Sequence, residues 1–292
     1  MEQALAASKG WEALGRTAPA VALGVATEEA AQARRFAAAV GAPVLVDVWF
    51  QAWSGRRAFD AARAAAAAER GALPVVTWEP WAPGRGARQP RYALRRIADG
   101  AHDAVLRRFG RQVAAYAGPV AVRFAHELNA SHYPWSLGIG GTAADAVAAW
   151  RHVHRVVTAA GAEQVSWVWC VDASGRRPVR PCYPGDDVVD AVAVDGYNAG
   201  AALDRGGWRA PEELFGPALD DLAATTDRPV LIGETACTDR GGDRPGWITE
   251  LFALARAREV RAVVWFEVAK EADWTVGGSP AALAALRRAV AG

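Results

Sequence analysis

Lysine is almost absent from this chain. Lys9 and Lys270 are the only two, and arginine supplies the rest of the 33 basic residues, which face 32 acidic ones. With the charges nearly cancelled, no global field draws in nucleic acid or an anionic membrane surface. Cysteine is scarce too. Cys170, Cys182 and Cys237 match no metal-ligand spacing, and an odd number argues against a disulfide framework, although Cys170 and Cys182 would be free to pair in an exported protein. The chain has no apolar run of the roughly 18 residues a membrane span needs. Residues 1–19 lack a basic region followed by an apolar core, so no leader is read there and the compartment stays open. The first apolar stretch runs Gly24-Val25-Ala26-Thr27-Glu28, without the glycine-rich loop that cradles phosphates in nucleotide-binding sheets. Internal repeats and long linkers are also missing. A single domain over 20–292, behind a short lead-in at 1–19, is the expectation.

What the chain has in excess is tryptophan, with 13 residues, many of them near the ends of apolar stretches: Trp49, Trp53, Trp78, Trp81, Trp135, Trp169 and Trp265. Core packing accounts for any one of them, whereas a set gathered at one rim would offer indole faces for stacking on sugars. Eight apolar stretches read as strands: 21–26, 44–50, 74–78, 120–127, 165–171, 189–197, 230–234 and 260–266. Helical patterns fall between them at 28–40, 57–69, 100–116, 143–160, 211–225 and 244–258, with a last one at 279–291. This alternation predicts an α/β fold, a (β/α)8 TIM barrel, with an open doubly wound sheet as the runner-up. A Pro/Gly/Arg-rich segment at 174–185 predicts a short or missing helix after the fifth strand. Another such segment, at 81–96, predicts a loop that walls a cleft.

The stretch Val122 to Trp135 gathers the chemistry. It carries an apolar run straight into Arg123, His126, Glu127, Asn129, His132, Tyr133 and Trp135. Alternation puts Arg123, Ala125 and Glu127 on one face, with Glu127 at the strand's C-terminal tip, where barrels do chemistry. A second apolar run ends at Gly233-Glu234. Strands four and seven oppose one another across a barrel mouth, so two carboxyls converge on one pocket. That arrangement suits retaining glycoside hydrolysis, with Glu127 as acid/base and Glu234 as nucleophile. Asp195 and Tyr197 share a face at the end of strand six, where the phenol would hold the nucleophile. Trp265 would floor the pocket. Arg123 would either stabilise ionised Glu234 or sit in a structural ion pair. Trp78 and Glu79 mark the end of strand three, and Glu79 and Glu267 are rival carboxylates that would bind sugar hydroxyls or merely be solvated. Asp47 and Asp172 are weaker candidates. His102, His152 and His154 fall on helices, at a spacing that makes no zinc pair.

At these residues the chain resembles glycoside hydrolase family 26, the β-mannanase family of the large retaining barrel clan. The shared pattern is His126-Glu127, Asn129, Pro134-Trp135, Asp195-Gly196-Tyr197, Gly233-Glu234 and Trp265-Phe266, with Trp78-Glu79-Pro80 and Ala272-Asp273-Trp274 also similar. The resemblance implies a retaining mechanism with Glu127 as acid/base and Glu234 as nucleophile. It also implies His126, Tyr197 and Trp265 at the reactive subsite, and neither metal nor organic cofactor. His126 reaches that subsite by resemblance, because simple alternation turns it away from Glu127. The chain departs from the family pattern at Asn129-Ala130-Ser131-His132, where mannanases carry Asn-Gly, one residue and then Trp. An imidazole thus stands where an indole is usual.

The expectation is therefore a monomeric retaining endo-β-glycosidase acting on a polysaccharide or oligosaccharide, with β-1,4-mannan first and another β-glycan or a bacterial exopolysaccharide next. Trp135, Trp265, Trp49, Trp78 and Trp81 would stack sugars, and Asn129, Asp195 and Arg123 would supply polar contacts. A barrel that binds carbohydrate without cleaving it is the competing reading.

Overall fold

Short runs rich in valine and aromatic residues alternate with alanine- and arginine-rich helices, and the chain closes the runs into a ring. The structure is a computed structural model that describes residues 21–55, 58–204 and 206–292; the lead-in expected at 1–19 lies outside them. The strands are β1 (Ala22–Ala26), β2 (Val46–Ala52), β3 (Leu73–Glu79), β4 (Val120–Phe124), β5 (Val165–Asp172), β6 (Ala191–Asn198), β7 (Val230–Cys237) and β8 (Ala262–Phe266). Each pairs in parallel with the next, and β8 pairs with β1, so the barrel is closed and has no free edge. The helices are α1 (Ala30–Val40), α2 (Ala61–Ala68), α3 (Leu94–Ala98), α4 (Asp103–Tyr116), α5 (Ala143–Ala159), α6 (Pro211–Ala223), α7 (Arg244–Ala257) and α8 (Pro280–Ala291). The (β/α)8 expectation holds. After β5 a three-residue 3-10 turn at Arg180–Cys182 stands in for a helix, as the proline and glycine there predict.

Register sorts every strand residue to the lumen or to the helix layer, because directly paired residues of parallel strands face the same way. Phe50, Thr77 and Arg123 form one such row, and Gln51, Trp78 and Phe124 form the row behind it. The bonds of Arg123 inside the barrel fix the first row as the lumen. Deeper down, Gly24 pairs with Val46 and Val264, and a Cβ on Gly24 would lie 2.8 Å from Val264 Cγ2 and 2.9 Å from Val46 Cβ. The missing side chain lets the two valines fill the barrel floor.

The same sorting overturns one expectation. Trp49, Trp78, Trp167, Trp169 and Trp265 occupy helix-facing positions, and the tryptophans serve mainly to join barrel to helices. Trp78 stacks on Phe109 of α4 with centroids 4.0 Å apart, and Trp53, Phe59 and Phe124 extend the aromatic layer. Asp47 also faces outward, where Arg63 of α2 and Arg70 in the turn after it hold both of its oxygens. Trp78→Ala should therefore act on stability, costing about 3–5 kcal/mol in urea denaturation, the scale of a buried aromatic lost to a cavity.

Candidate active site

The alternation expected to carry Glu127 to the tip of a straight strand fails two residues earlier. β4 ends at Phe124, and Ala125 and Glu127 both take left-handed backbone conformations, with φ of 45° and 53°. Each costs about a kcal/mol or more for a residue with a side chain. The coil is held by the Ala125 N–H donating to the Trp78 carbonyl and the Glu127 N–H donating to the Cys170 carbonyl. It turns consecutive side chains to the mouth, so His126 and Glu127 both reach the cleft. The place that only the resemblance gave His126 has this geometric cause.

β7 reaches the mouth by another device. Pairing with β6 shifts at Val194/Asp195 and pairing with β8 shifts between Ile232 and Thr235, so Gly233-Glu234 forms a bulge. A Cβ on Gly233 would stand 2.7 Å from Asp195 Oδ1 and 3.1 Å from Arg123 Nη1. Glycine is required because a buried ion network fills that space. Arg123 Nη1 donates to both oxygens of Asp195, at 2.9 and 2.8 Å, while Nη2 donates to Glu234 Oε1. Thr77 Oγ1 accepts from Nε and Nη2 at 3.0 and 2.7 Å. The Tyr197 hydroxyl donates to Glu234 Oε2. Glu234 thus has a strong donor on each oxygen. Arg123 is thus paired with Asp195 and donates to Glu234 from the same buried position.

Glu127 has the opposite surroundings. Burial, together with the carboxylates of Asp195, Glu234 and Asp172, pushes its carboxyl well above the usual range, and Arg123 only partly opposes them. His126 is held well below its usual value by burial and by Arg123, so its imidazole is neutral. Its Nε2 meets the Tyr133 hydroxyl at 3.1 Å, and Nδ1 is buried without a partner. Ligand atoms of His126, Glu127 and Asp195 lie within 4.8 Å of one another, but Arg123 already engages both Asp195 oxygens. Glu79 lies at the mouth beside Trp81 and Glu234, and burial lifts its carboxyl from 4.5 to about 7.

Several expected contacts fall elsewhere. Trp135 is fully buried: it stacks on Tyr133 at 4.4 Å, and its indole N–H donates to the His126 carbonyl at 2.6 Å. It therefore backs a wall whose half-buried members are Tyr133 and Trp81. Trp265 is fully buried on the helix side, under the Arg244 guanidinium and bonded to the Trp274 carbonyl, so it floors no pocket. Trp78 is excluded in the same way. Asn129 is committed to the backbone, donating to the Asp172 carbonyl and accepting from the Asp172 N–H, both at 2.8 Å, which clamps the ends of β4 and β5. His132 stands at the rim, with Nε2 3.7 Å from Glu127 Oε2. Glu267 accepts from the Val276 N–H at 2.9 Å and closes the loop after β8.

Sequence reasoning assigns no site role to Phe50, Phe266 or Trp274, whose rings gather around His126 and Tyr197. Phe50 lies 6.2 Å from His126 and 6.0 Å from Phe266, and Tyr197 lies 5.5 Å from Phe266 and 5.1 Å from Trp274. The available signal was parity, since Phe266 shares the face of Val264 while Trp265 does not. One pH dependence follows from Glu79. Its unfolded-state carboxyl ionises near 4.5 and its folded one near 7, so between those values the unfolded chain has lost a proton that the folded chain keeps. Stability should fall as pH rises through that window, with about 3 kcal/mol of the fall due to this group. In Glu79→Gln the fall measured by urea denaturation should shrink by that amount, leaving the variant more stable than the parent at pH 8.

Known proteins match this barrel along its length. The pattern of Glycosyl hydrolase family 26 matches residues 93–229, a span that contains the coil at Glu127 and the ends of β5 and β6. Endoglucanase H of Acetivibrio thermocellus is 34% identical over 229 residues, which is 75% of this chain; the chain spans 24% of that protein's length. A GH26 β-mannanase from Bacteroides ovatus superposes with a TM-score of 0.71 at 14% identity, covering 96% of this chain and 91% of the other. The catalytic domain of a GH26 endo-β-1,4-mannanase from Bacillus sp. JAMB-750 gives 0.71 at 15% identity, covering 99% and 91%. At such identities the structural matches speak for the fold. The family pattern over residues 93–229 and the relative at 34% identity support the assignment of the chain to glycosyl hydrolase family 26.

Proposed function

We propose that the protein is a retaining endo-β-glycosidase. The observation that carries this reading is the unlike environment of two carboxyls at one barrel mouth: Glu234 accepts from Arg123 and Tyr197, while Glu127 is buried among carboxylates. A carboxylate with a donor on each oxygen is held in one orientation, as a nucleophile must be. A carboxyl among like charges keeps its proton, as a general acid must. In the first step Glu234 attacks the anomeric carbon, the glycosidic C–O bond breaks, and the leaving oxygen takes its electron pair and the Glu127 proton. In the second, water gives a proton to Glu127 and attacks the same carbon, and the ester to Glu234 breaks. Esterification removes the charge on Glu234, and Asp195 keeps the Arg123 guanidinium paired while it does. Tyr133 and Trp81 offer partly exposed aromatic faces for sugar rings.

β-1,4-Mannan and β-glucan are the two leading substrates. The mannanase structures favour the first, and the endoglucanase, which shares more than twice their sequence identity, favours the second. Reducing-end release should be assayed on β-mannan, galactomannan, glucomannan, barley β-glucan, β-1,3-xylan and curdlan. One or more should be cleaved, and Glu234→Ala should abolish the cleavage. Glu127→Ala should slow polymers by about 10²-fold or more while largely sparing aryl glycosides, whose leaving groups need no proton. Equal loss on both substrate types would remove Glu127 from the acid role. Binding of a polymer without cleavage by the folded parent protein would point to a non-catalytic barrel.

A further inference from the structure

His132 stands where the family pattern carries an indole, and the structure gives the replacement a partner. Its Nε2 lies 3.7 Å from Glu127 Oε2, its side chain is 61% exposed, and its ring rests on Tyr133 with centroids 4.2 Å apart. The other charges that face Glu127 are the carboxylates of Asp172 on β5, Asp195 on β6 and Glu234 on β7, together with Arg123 on β4. Arg123 already serves two of those carboxylates. His126 and Tyr133 are the neighbours of His132 on its own loop; the first is neutral and the second is a half-buried ring whose phenol is pushed well above its usual value by burial and by the carboxylates nearby.

Resting on the glycosidase reading, we propose that His132 is a positioning residue for the second half of the reaction, as the cation that pairs with Glu127 once Glu127 has given up its proton. Apart from Arg123, the surroundings of Glu127 favour the protonated carboxyl, which suits the first step but in the second lets Glu127 take a proton back from solvent before it can act as a base. After the leaving sugar takes the proton, Glu127 is an anion that must stay aimed at an incoming water. An imidazolium at the solvent rim can close from 3.7 Å to ion-pair distance without entering the buried network. It gives up no proton: water's proton passes to Glu127, and the imidazolium then faces a neutral carboxyl again. An indole at this position would supply stacking surface but no charge.

The test separates the two half-reactions with dinitrophenyl β-mannobioside and β-cellobioside, for which breakdown of the glycosyl-enzyme limits turnover. His132→Gln should lower kcat about fivefold near pH 6, the scale of a partly exposed ion pair. kcat/KM, which reports the first step, should stay within about twofold, and the pre-steady-state burst of phenolate should approach one equivalent per enzyme. His132→Lys should recover most of kcat, because the cation and not the ring shape is what the step uses. Equal losses in kcat and kcat/KM would overturn the proposal by placing His132 in binding or in the first step. An unchanged kcat, or rescue by glutamine and not by lysine, would overturn it as well. If the parent turns over either probe and Glu234→Ala does not, such a failure is confined to His132. Absence of turnover by the parent on both probes and on every polymer would instead bring down the glycosidase reading and this inference with it.

Discussion

The mouth of this barrel depends on one guanidinium placed where water cannot reach it. Arg123 is 2% exposed and spans Thr77 on β3, Asp195 on β6 and Glu234 on β7, so three strands are tied through one side chain. Burying a cation and two anions costs several kcal/mol per ion before their attraction repays it, and removal of one member leaves the others uncompensated. The network therefore dictates its surroundings. Gly233 has no side chain because Asp195 and Arg123 fill that space, and the β7 bulge exists because Glu234 must reach Arg123 from a strand whose register would otherwise turn it away. Burial, with the Asp195 and Glu234 carboxyls beside it, raises the Glu127 carboxyl well above its usual range.

Much of this was legible in the residues. Eight apolar stretches with helical patterns between them fix a closed parallel barrel, and the proline- and glycine-rich segment after the fifth strand marks the missing helix. The carboxyls at the ends of β4 and β7 were visible as ionisable groups closing apolar runs. What alternation could not supply was facing. It places His126 away from Glu127, and only the left-handed residues Ala125 and Glu127 bring the two side chains to the same mouth. Nothing in an alanine or a glutamate announces a positive φ; that conformation is held by the bonds their N–H groups donate to the Trp78 and Cys170 carbonyls.

The tryptophans show the complementary failure. An indole near a strand end reads equally as cleft wall or as core, and one step of register decides between them. Trp265 and Phe266 are neighbours in sequence, yet Trp265 faces Arg244 in the helix layer and Phe266 faces Tyr197 in the lumen. Asn129 likewise looks like a sugar-binding amide because it sits two residues from Glu127. Its hydrogen-bonding capacity is spent on the backbone of Asp172, where it stabilises the coil that aims Glu127. Polarity and position identify a neighbourhood; hydrogen-bond satisfaction identifies which members are free to act.

The two carboxyls differ by wiring more than by chemical type, and under the proposed mechanism that wiring also supplies timing. While Glu234 is ionised, its charge helps to hold the proton on Glu127. Once Glu234 becomes an ester, the guanidinium and Asp195 form a neutral pair, and the field on Glu127 weakens just when it must act as a base. No group needs to move for this change, because a single covalent event alters the charge that every neighbour feels. Such coupling works only if the three charged side chains hold fixed positions. The aromatic layer that binds the barrel to its helices and the absent side chain at Gly233 both serve that rigidity. The fold thus spends its large residues on the outside of the barrel so that its few charged ones on the inside keep their distances.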